Sequence, residues 1–233
     1  MLRKSIIFIL LLCPAFLLSA QSESDIKKIH QSHDLFGINS FEEARSLLDE
    51  IDSDLNNYWQ ARIIHLKGLI NQEEGNKKEA VRLFKQMEEF IEDTPELNET
   101  AEGMALHALA IARQMYLKDV FFALANLKKT IRLTEKSLEF DPNNFTALLV
   151  LAQVKTKTPK LFGGDLDFAL ELLKRAEELE ISETAEKFTL YLNLSLTYSR
   201  KKSKQLAEFY LEKALEIYPG SSMALRQKEE ELD

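Results

Sequence analysis

From Asp25 to the C-terminus, apolar residues recur at helical spacing and a short polar break interrupts them every fifteen or twenty residues. That rhythm constrains the chain to paired helices, because strand-like alternation of apolar and polar residues is absent. The breaks are Gly37–Ser40, Gly75-Asn76, Asp93–Pro95, Asp141–Asn144, Pro159–Asp165 and Pro219-Gly220, and each carries a helix stop, a cap or both. Only 7 glycines and 5 prolines occur in 233 residues, too few for a sandwich that needs turn signals every ~8–12 residues.

The segments between breaks repeat one internal pattern. In 188–219, Tyr191, Leu194, Ser195 and Tyr198 share a first helix, Ala207, Leu211 and Ala214 a second, and Pro219 closes the unit. Upstream, Gly68, Gly75, Ala80 and Phe84 keep the same offsets, as do Ala44, Leu48 and Ile51, with Ile26–Leu35 as the partner helix. Another unit follows Asp141-Pro142, with Ala169, Leu173 and Ala176 on its second helix. The stretch 96–140 reads as two long helices of a degenerate unit, since Lys118, Thr130 and Thr134 stand where small or apolar residues are wanted.

This pattern resembles the tetratricopeptide repeat, a helix-turn-helix of about 34 residues with small residues where its two helices cross. The resemblance implies an all-α fold: a right-handed α-solenoid of about five tetratricopeptide-like helix-turn-helix repeats (25–54, 58–92, 98–142, 145–181, 185–219) with a C-terminal capping helix at 222–232, about eleven helices in all. Stacking completes a core that no single helix pair can bury. The resemblance also implies a concave groove for a protein or peptide, drawn from first-helix residues Arg62, His65, Leu69, Gln72, Leu149, Gln153, Leu192, Asn193 and Leu196. Members that clamp a terminal carboxylate carry lysine, asparagine and arginine at fixed first-helix positions. Ile29 and His33 occupy matching positions here, so that clamp is not expected.

Residues 1–22 read differently. Arg3 and Lys4 precede an apolar run from Ile6 to Leu18 and then Ser19-Ala20-Gln21-Ser22, the layout of a cleaved secretory signal peptide. Cleavage after Ala20 or after Ser22 fits. An uncleaved anchor is the alternative, but the run is shorter than the ~20 residues of a spanning helix. Cys13 follows three leucines rather than small residues, so a lipid anchor is not expected. Cys13 is also the only cysteine, which leaves the mature chain without disulfide or thiolate chemistry. The protein is expected to be exported, periplasmic or extracellular, with no membrane insertion after cleavage.

The charge balance, 30 basic against 38 acidic residues, excludes a clustered phosphate-binding surface and so a nucleic-acid partner. No catalytic constellation, cofactor motif or metal site is expected. His30 and His33 stand three apart without a Glu-x-x-His pairing, Gly163-Gly164-Asp165 has neither a preceding strand nor a following GK[ST], and the acidic pairs Glu42-Glu43 and Glu88-Glu89 read as solvated faces. The expected role is a non-catalytic exported scaffold.

The inserted segment Lys155–Asp165 stands apart, about five residues longer than the family turn. Lys155, Lys157 and Lys160 make it locally basic, and Leu161 and Phe162 give it an apolar tip that either tucks against a helix or stays free. Its Pro159-x-x-Phe162-Gly163-Gly164-Asp165 run resembles one in exported repeat proteins related to the accessory subunit of tripartite ATP-independent periplasmic transporters, a likeness confined to one repeat. That implies an alternative function, a solute-binding or transport accessory protein that holds a small apolar ligand in a closed pocket and forms a homo-oligomer. Phe121-Phe122 suits either role.

Overall fold

The computed structural model describes residues 14–51 and 55–231. Twelve α-helices follow one another there: α1 (Pro14–Gly37), α2 (Phe41–Asp49), α3 (Asn57–Glu73), α4 (Lys77–Glu92), α5 (Pro95–Asn98), α6 (Ala101–Leu117), α7 (Val120–Phe140), α8 (Phe145–Lys157), α9 (Leu166–Glu177), α10 (Thr184–Arg200), α11 (Lys204–Ile217) and α12 (Ser222–Glu231). No strand occurs among the described residues. The twelfth helix, beyond the eleven expected, is the single turn α5, started by Pro95 at its first position. Met1–Cys13, most of the expected signal segment, lies outside the described residues, and Pro14–Ser22 forms the opening turns of α1. Among the described residues no helix is long and apolar enough to cross a membrane.

Successive helices pair as α1 with α2, α3 with α4, α6 with α7, α8 with α9 and α10 with α11. Small residues at the crossings bring the axes together. A Cβ at Gly68 would lie 2.5 Å from the ring of Phe84, which is itself fully buried. Ala44, Ala80, Ala169 and Ala207 are likewise fully buried on the second helices. In the irregular middle pair Thr130 and Thr134 take the small-residue places. Their hydroxyls donate to Asn126 O (3.0 Å) and Ile131 O (2.8 Å) of their own helix, so burial leaves no unmet donor. Side-chain caps fix where several helices begin: Asn56 accepts from Trp59 N, Thr100 from Gly103 N, Asn144 from Ala147 N, and Asp165 from Asp167 N and Phe168 N.

The array does not end as an open stack. Its last helices pack against its first. Gly37 at the end of α1 lies flat against Tyr218, where a Cβ would come within 2.3 Å of the ring. Asn39 donates to Gly220 O (2.9 Å) and accepts from Ser222 N (3.0 Å). Helix α12 caps the array with Arg226, Lys228, Glu229 and Glu230 exposed, and it also bridges the two ends. Met223 packs against both the N-terminal and the C-terminal apolar clusters, and Arg226 reaches Glu73 on α3 at 2.6 Å.

Candidate functional site

The first helices α3, α8 and α10 carry the residues expected to line a groove. Arg62, His65, Leu69, Leu149 and Asn193 are buried, while Gln72, Gln153, Leu192 and Leu196 are half-buried. Two of them, Arg62 and His65, meet polar side chains of other helices. Arg62 Nη2 donates to Glu183 Oε2 at 3.1 Å, and Nη1 lies 3.4 Å from Glu186 Oε1 and 3.4 Å from Tyr58 Oη. His30 Nδ1 stands 3.4 Å from the same Glu183 oxygen. A guanidinium from the second repeat is thus gripped by two carboxylates from the fifth.

Burial sets the charge states around this cluster. His33 is pushed down to about 3, first by burial and then by Arg62, His30 and Arg113. His65 is held well below its usual value by burial, Arg113 and Arg62, and its Nε2 accepts from Arg113 Nε at 3.3 Å. Burial also draws Arg113 down to about 10 and raises Glu186, to which Glu183 adds. Burial opposes the charge of Arg62, but Tyr58, Glu183 and Glu186 more than offset it and raise its pKa. Both histidines are therefore neutral imidazoles, and the arginine keeps its charge because its counter-ions are fixed. Glu183 and Glu186 were not legible in the sequence as functional positions. Glu183 immediately precedes α10 and Glu186 lies in its first turn.

Two clefts adjoin the cluster. One, of about 290 Å³, is lined by His30, His33, Asp34, Ser182, Glu183, Thr184 and Ala185. The other, of about 140 Å³, has Tyr58, Glu102 and Glu186 among its walls. Both clefts mix charged and polar side chains with apolar ones, Ala185 in the first and Phe145 in the second.

The inserted segment is the second candidate. It is braced internally: Asp165 N donates to Lys155 O (3.1 Å), Gly164 N to Pro159 O (3.2 Å), and Lys155 Nζ to Gly163 O (3.3 Å). Gly163 adopts φ 93°, which turns the chain into the Asp165 cap. The tip does not tuck back. Leu161 is 89% exposed and Phe162 50%. Lys157 at the end of α8 sits with its ammonium 4.2 Å from the Tyr116 ring centroid, which joins the segment to the corner between α6 and α7. That corner is also apolar and open, with Tyr116 60%, Val120 62%, Phe121 80% and Leu124 42% exposed.

A family model described as tetratricopeptide repeat matches residues 188–221, the span of most of α10, all of α11 and the turn after it. These residues are a tetratricopeptide repeat. No curated protein matches the chain. Among solved structures, the crystal structure of YrrB, a TPR protein with an unusual peptide-binding site, is 18% identical with a TM-score of 0.41, covering 92% of this chain and 97% of its own. Within the tetratricopeptide repeat at 188–221, Tyr198 stacks on Tyr210 with the rings 5.6 Å apart and 4° from parallel. Ala207, Leu211 and Ala214 are buried at the places their spacing assigns.

Proposed function

We propose that the protein is a non-catalytic exported scaffold that binds a protein partner through the free tip of the inserted segment and the adjoining α6–α7 corner. The exposure of Leu161 carries this reading. A large apolar side chain held almost wholly in water on a hydrogen-bonded support is costly unless something covers it. The partner chemistry follows from the surroundings. Lys155, Lys157 and Lys160 are basic in a chain of net charge −8, so an apolar anchor flanked by acidic residues is the complement. A peptide threaded along the inner face would have to displace the Arg62 cluster, which makes the outer corner the better docking surface.

Export is part of the same proposal and rests on the layout of residues 1–22. Fractionation of native cells, with mass spectrometry of the purified chain, tests it. A mature N-terminus at Gln21 or Glu23 in the exported fraction supports export, and an intact Met1 inside the cell rejects it.

The docking surface is tested by a photo-crosslinking amino acid placed at Leu161 and, as a control, at the exposed Glu208 of α11. A defined protein adduct from 161 and none from 208, lost on adding Leu124→Asp at the neighbouring corner, is the expected result. Adducts of equal pattern from both positions, or none from 161, would overturn the proposal.

A further inference from the structure

Away from the inner face, α4, α6 and α7 bring four ionisable side chains together. Glu88 and Glu92 lie one turn apart on α4, His107 projects from α6, and Lys129 reaches over from α7. Lys129 Nζ lies 2.9 Å from Glu88 Oε1 and 2.9 Å from Glu92 Oε1, which holds the two carboxylates side by side. His107 Nε2 points at the same pair, 3.3 Å from Glu92 Oε1 and 3.9 Å from Glu88 Oε1.

The state of His107 is what calls for an occupant. The residue is 3% exposed, and its Nδ1 stands 3.3 Å from Asn98 Oδ1. With Nδ1 turned to Asn98, Nε2 is the ring nitrogen that faces the two carboxylates. That buried nitrogen has no hydrogen-bond partner among the described residues. A metal ion set between this nitrogen and the two carboxylate oxygens would be held by all three. Lys129 answers the carboxylates but leaves the imidazole unanswered.

We propose that Glu88, Glu92 and His107 form a binding site for one divalent transition-metal ion of the zinc type, in which Lys129 occupies the cation's place until the metal enters. The donor set of one imidazole nitrogen and two carboxylate oxygens suits an ion of borderline softness, rather than calcium or magnesium, which take oxygen alone. The three donor atoms already lie within 4.8 Å of one another. Tetrahedral zinc, with bonds of about 2.0–2.2 Å, needs its donors about 3.5 Å apart, a contraction that small carboxylate rotations supply. Two outer contacts support the site: Asn98 orients the ring, and Gln114 Nε2 donates to Glu88 Oε2 at 2.6 Å. Among the described residues Lys129 is anchored only by the two carboxylates in the site, and its side chain is 42% exposed, so it can swing into solvent. The fourth metal position opens on the side Lys129 vacates and would take water. His107 is separated from Glu88 by the α4–α5–α6 turns, so nothing in the local sequence spacing brings the three residues together.

Zinc chloride titrated calorimetrically into the chelator-stripped full chain tests the proposal, with native mass spectrometry to count bound ions. One zinc per chain is expected, weakened at least tenfold in both His107→Gln and Glu92→Gln. In Lys129→Met, where the competing ammonium is gone, affinity should rise about tenfold. Circular dichroism establishes that each variant is folded, and Glu92 at the surface gives a readout even if His107→Gln does not fold. His30→Ala removes an imidazole of the Arg62 cluster and should leave binding unchanged. Absence of zinc binding by the natural chain would overturn the site, and so would binding that survives both ligand substitutions or is lost in His30→Ala.

Discussion

Tyr218, at the end of the fifth repeat, donates a hydrogen bond of 2.5 Å from its hydroxyl to Asp34 Oδ1 in the first repeat, across 184 residues of chain. Its ring covers Gly37 and meets Phe188 edge-on with centroids 4.9 Å apart. One side chain thus joins the two ends of the array. The contact turns a stack of repeats into a closed body whose inner face is occupied by its own residues.

Substituting Tyr218 separates the two contributions. Tyr218→Phe keeps the ring and removes a charge-assisted hydrogen bond, at an expected cost of about 1.5 kcal/mol in urea unfolding. Tyr218→Ala also removes a buried aromatic, at about 3–5 kcal/mol. With helix content retained by circular dichroism, the alanine variant should show a larger radius of gyration in solution scattering as the ends part. An unchanged radius would mean that α12 and Asn39 alone keep the array closed.

The crossing of α3 and α4 should reject any side chain at Gly68. Alanine in a helix interior is ordinarily favoured over glycine by about 1 kcal/mol. Here its Cβ would fall 2.5 Å from a fully buried Phe84 ring with no room to move. Gly68→Ala should therefore destabilise by about 1–3 kcal/mol, read from thermal or urea unfolding. The paired change Gly68→Ala with Phe84→Leu should recover part of the loss.

Acidification should weaken the fold well before carboxylates titrate. His33, down at about 3, and His65, also lowered, stay neutral when folded, whereas in the unfolded chain each takes up a proton near pH 6.5. From pH 6.5 down toward 3 the unfolded state binds more protons. Stability then falls as pH drops, by up to about 1.4 kcal/mol per pH unit for each histidine. Glu186, raised by burial, takes up its proton earlier in the folded state and offsets part of this. Urea midpoints from pH 7.5 to 5 should decline in the natural chain and flatten in His33→Gln with His65→Gln. A midpoint that holds steady in the natural chain would show that neither ring stays neutral in the fold as argued.

At the docking corner, stability and binding should come apart. Leu161 and Phe121 are 89% and 80% exposed, so Leu161→Asp and Phe121→Asp should change unfolding free energy by less than about 0.5 kcal/mol. Retention of the partner crosslinked from position 161 should nonetheless be lost. A large drop in stability would show instead that these side chains hold the fold.

Much of the fold was legible because repeat physics is local. Gly68 and Phe84, or Ala207 and Leu211, are close in sequence, so a spacing rule reaches them, and Asp165 can be read as a cap from its place before an apolar run. Even the degenerate unit obeys the rule by other means, since the hydroxyls of Thr130 and Thr134 bond within their own helix and the residues pack as small ones. The extent of closure was not legible. Asp34, Asn39, Tyr218 and Met223 are unremarkable in their own segments, and only their meeting gives them a role.

The sequence by itself determined the helices, their pairing and the inserted basic segment, because each depends on periodicity, capping and crossing residues within some forty positions. Tertiary structure decided which surfaces remain available. Whether first-helix residues such as Arg62 and His65 face a ligand or side chains of other helices depends on how small rotations between successive repeats add up, and that sum brings Glu183 to Arg62. The same summation places His107 over Glu88 and Glu92 and leaves Leu161 in water. A side chain's chemistry is written at its own position, but its partners are set by the accumulated geometry of every packing contact between them.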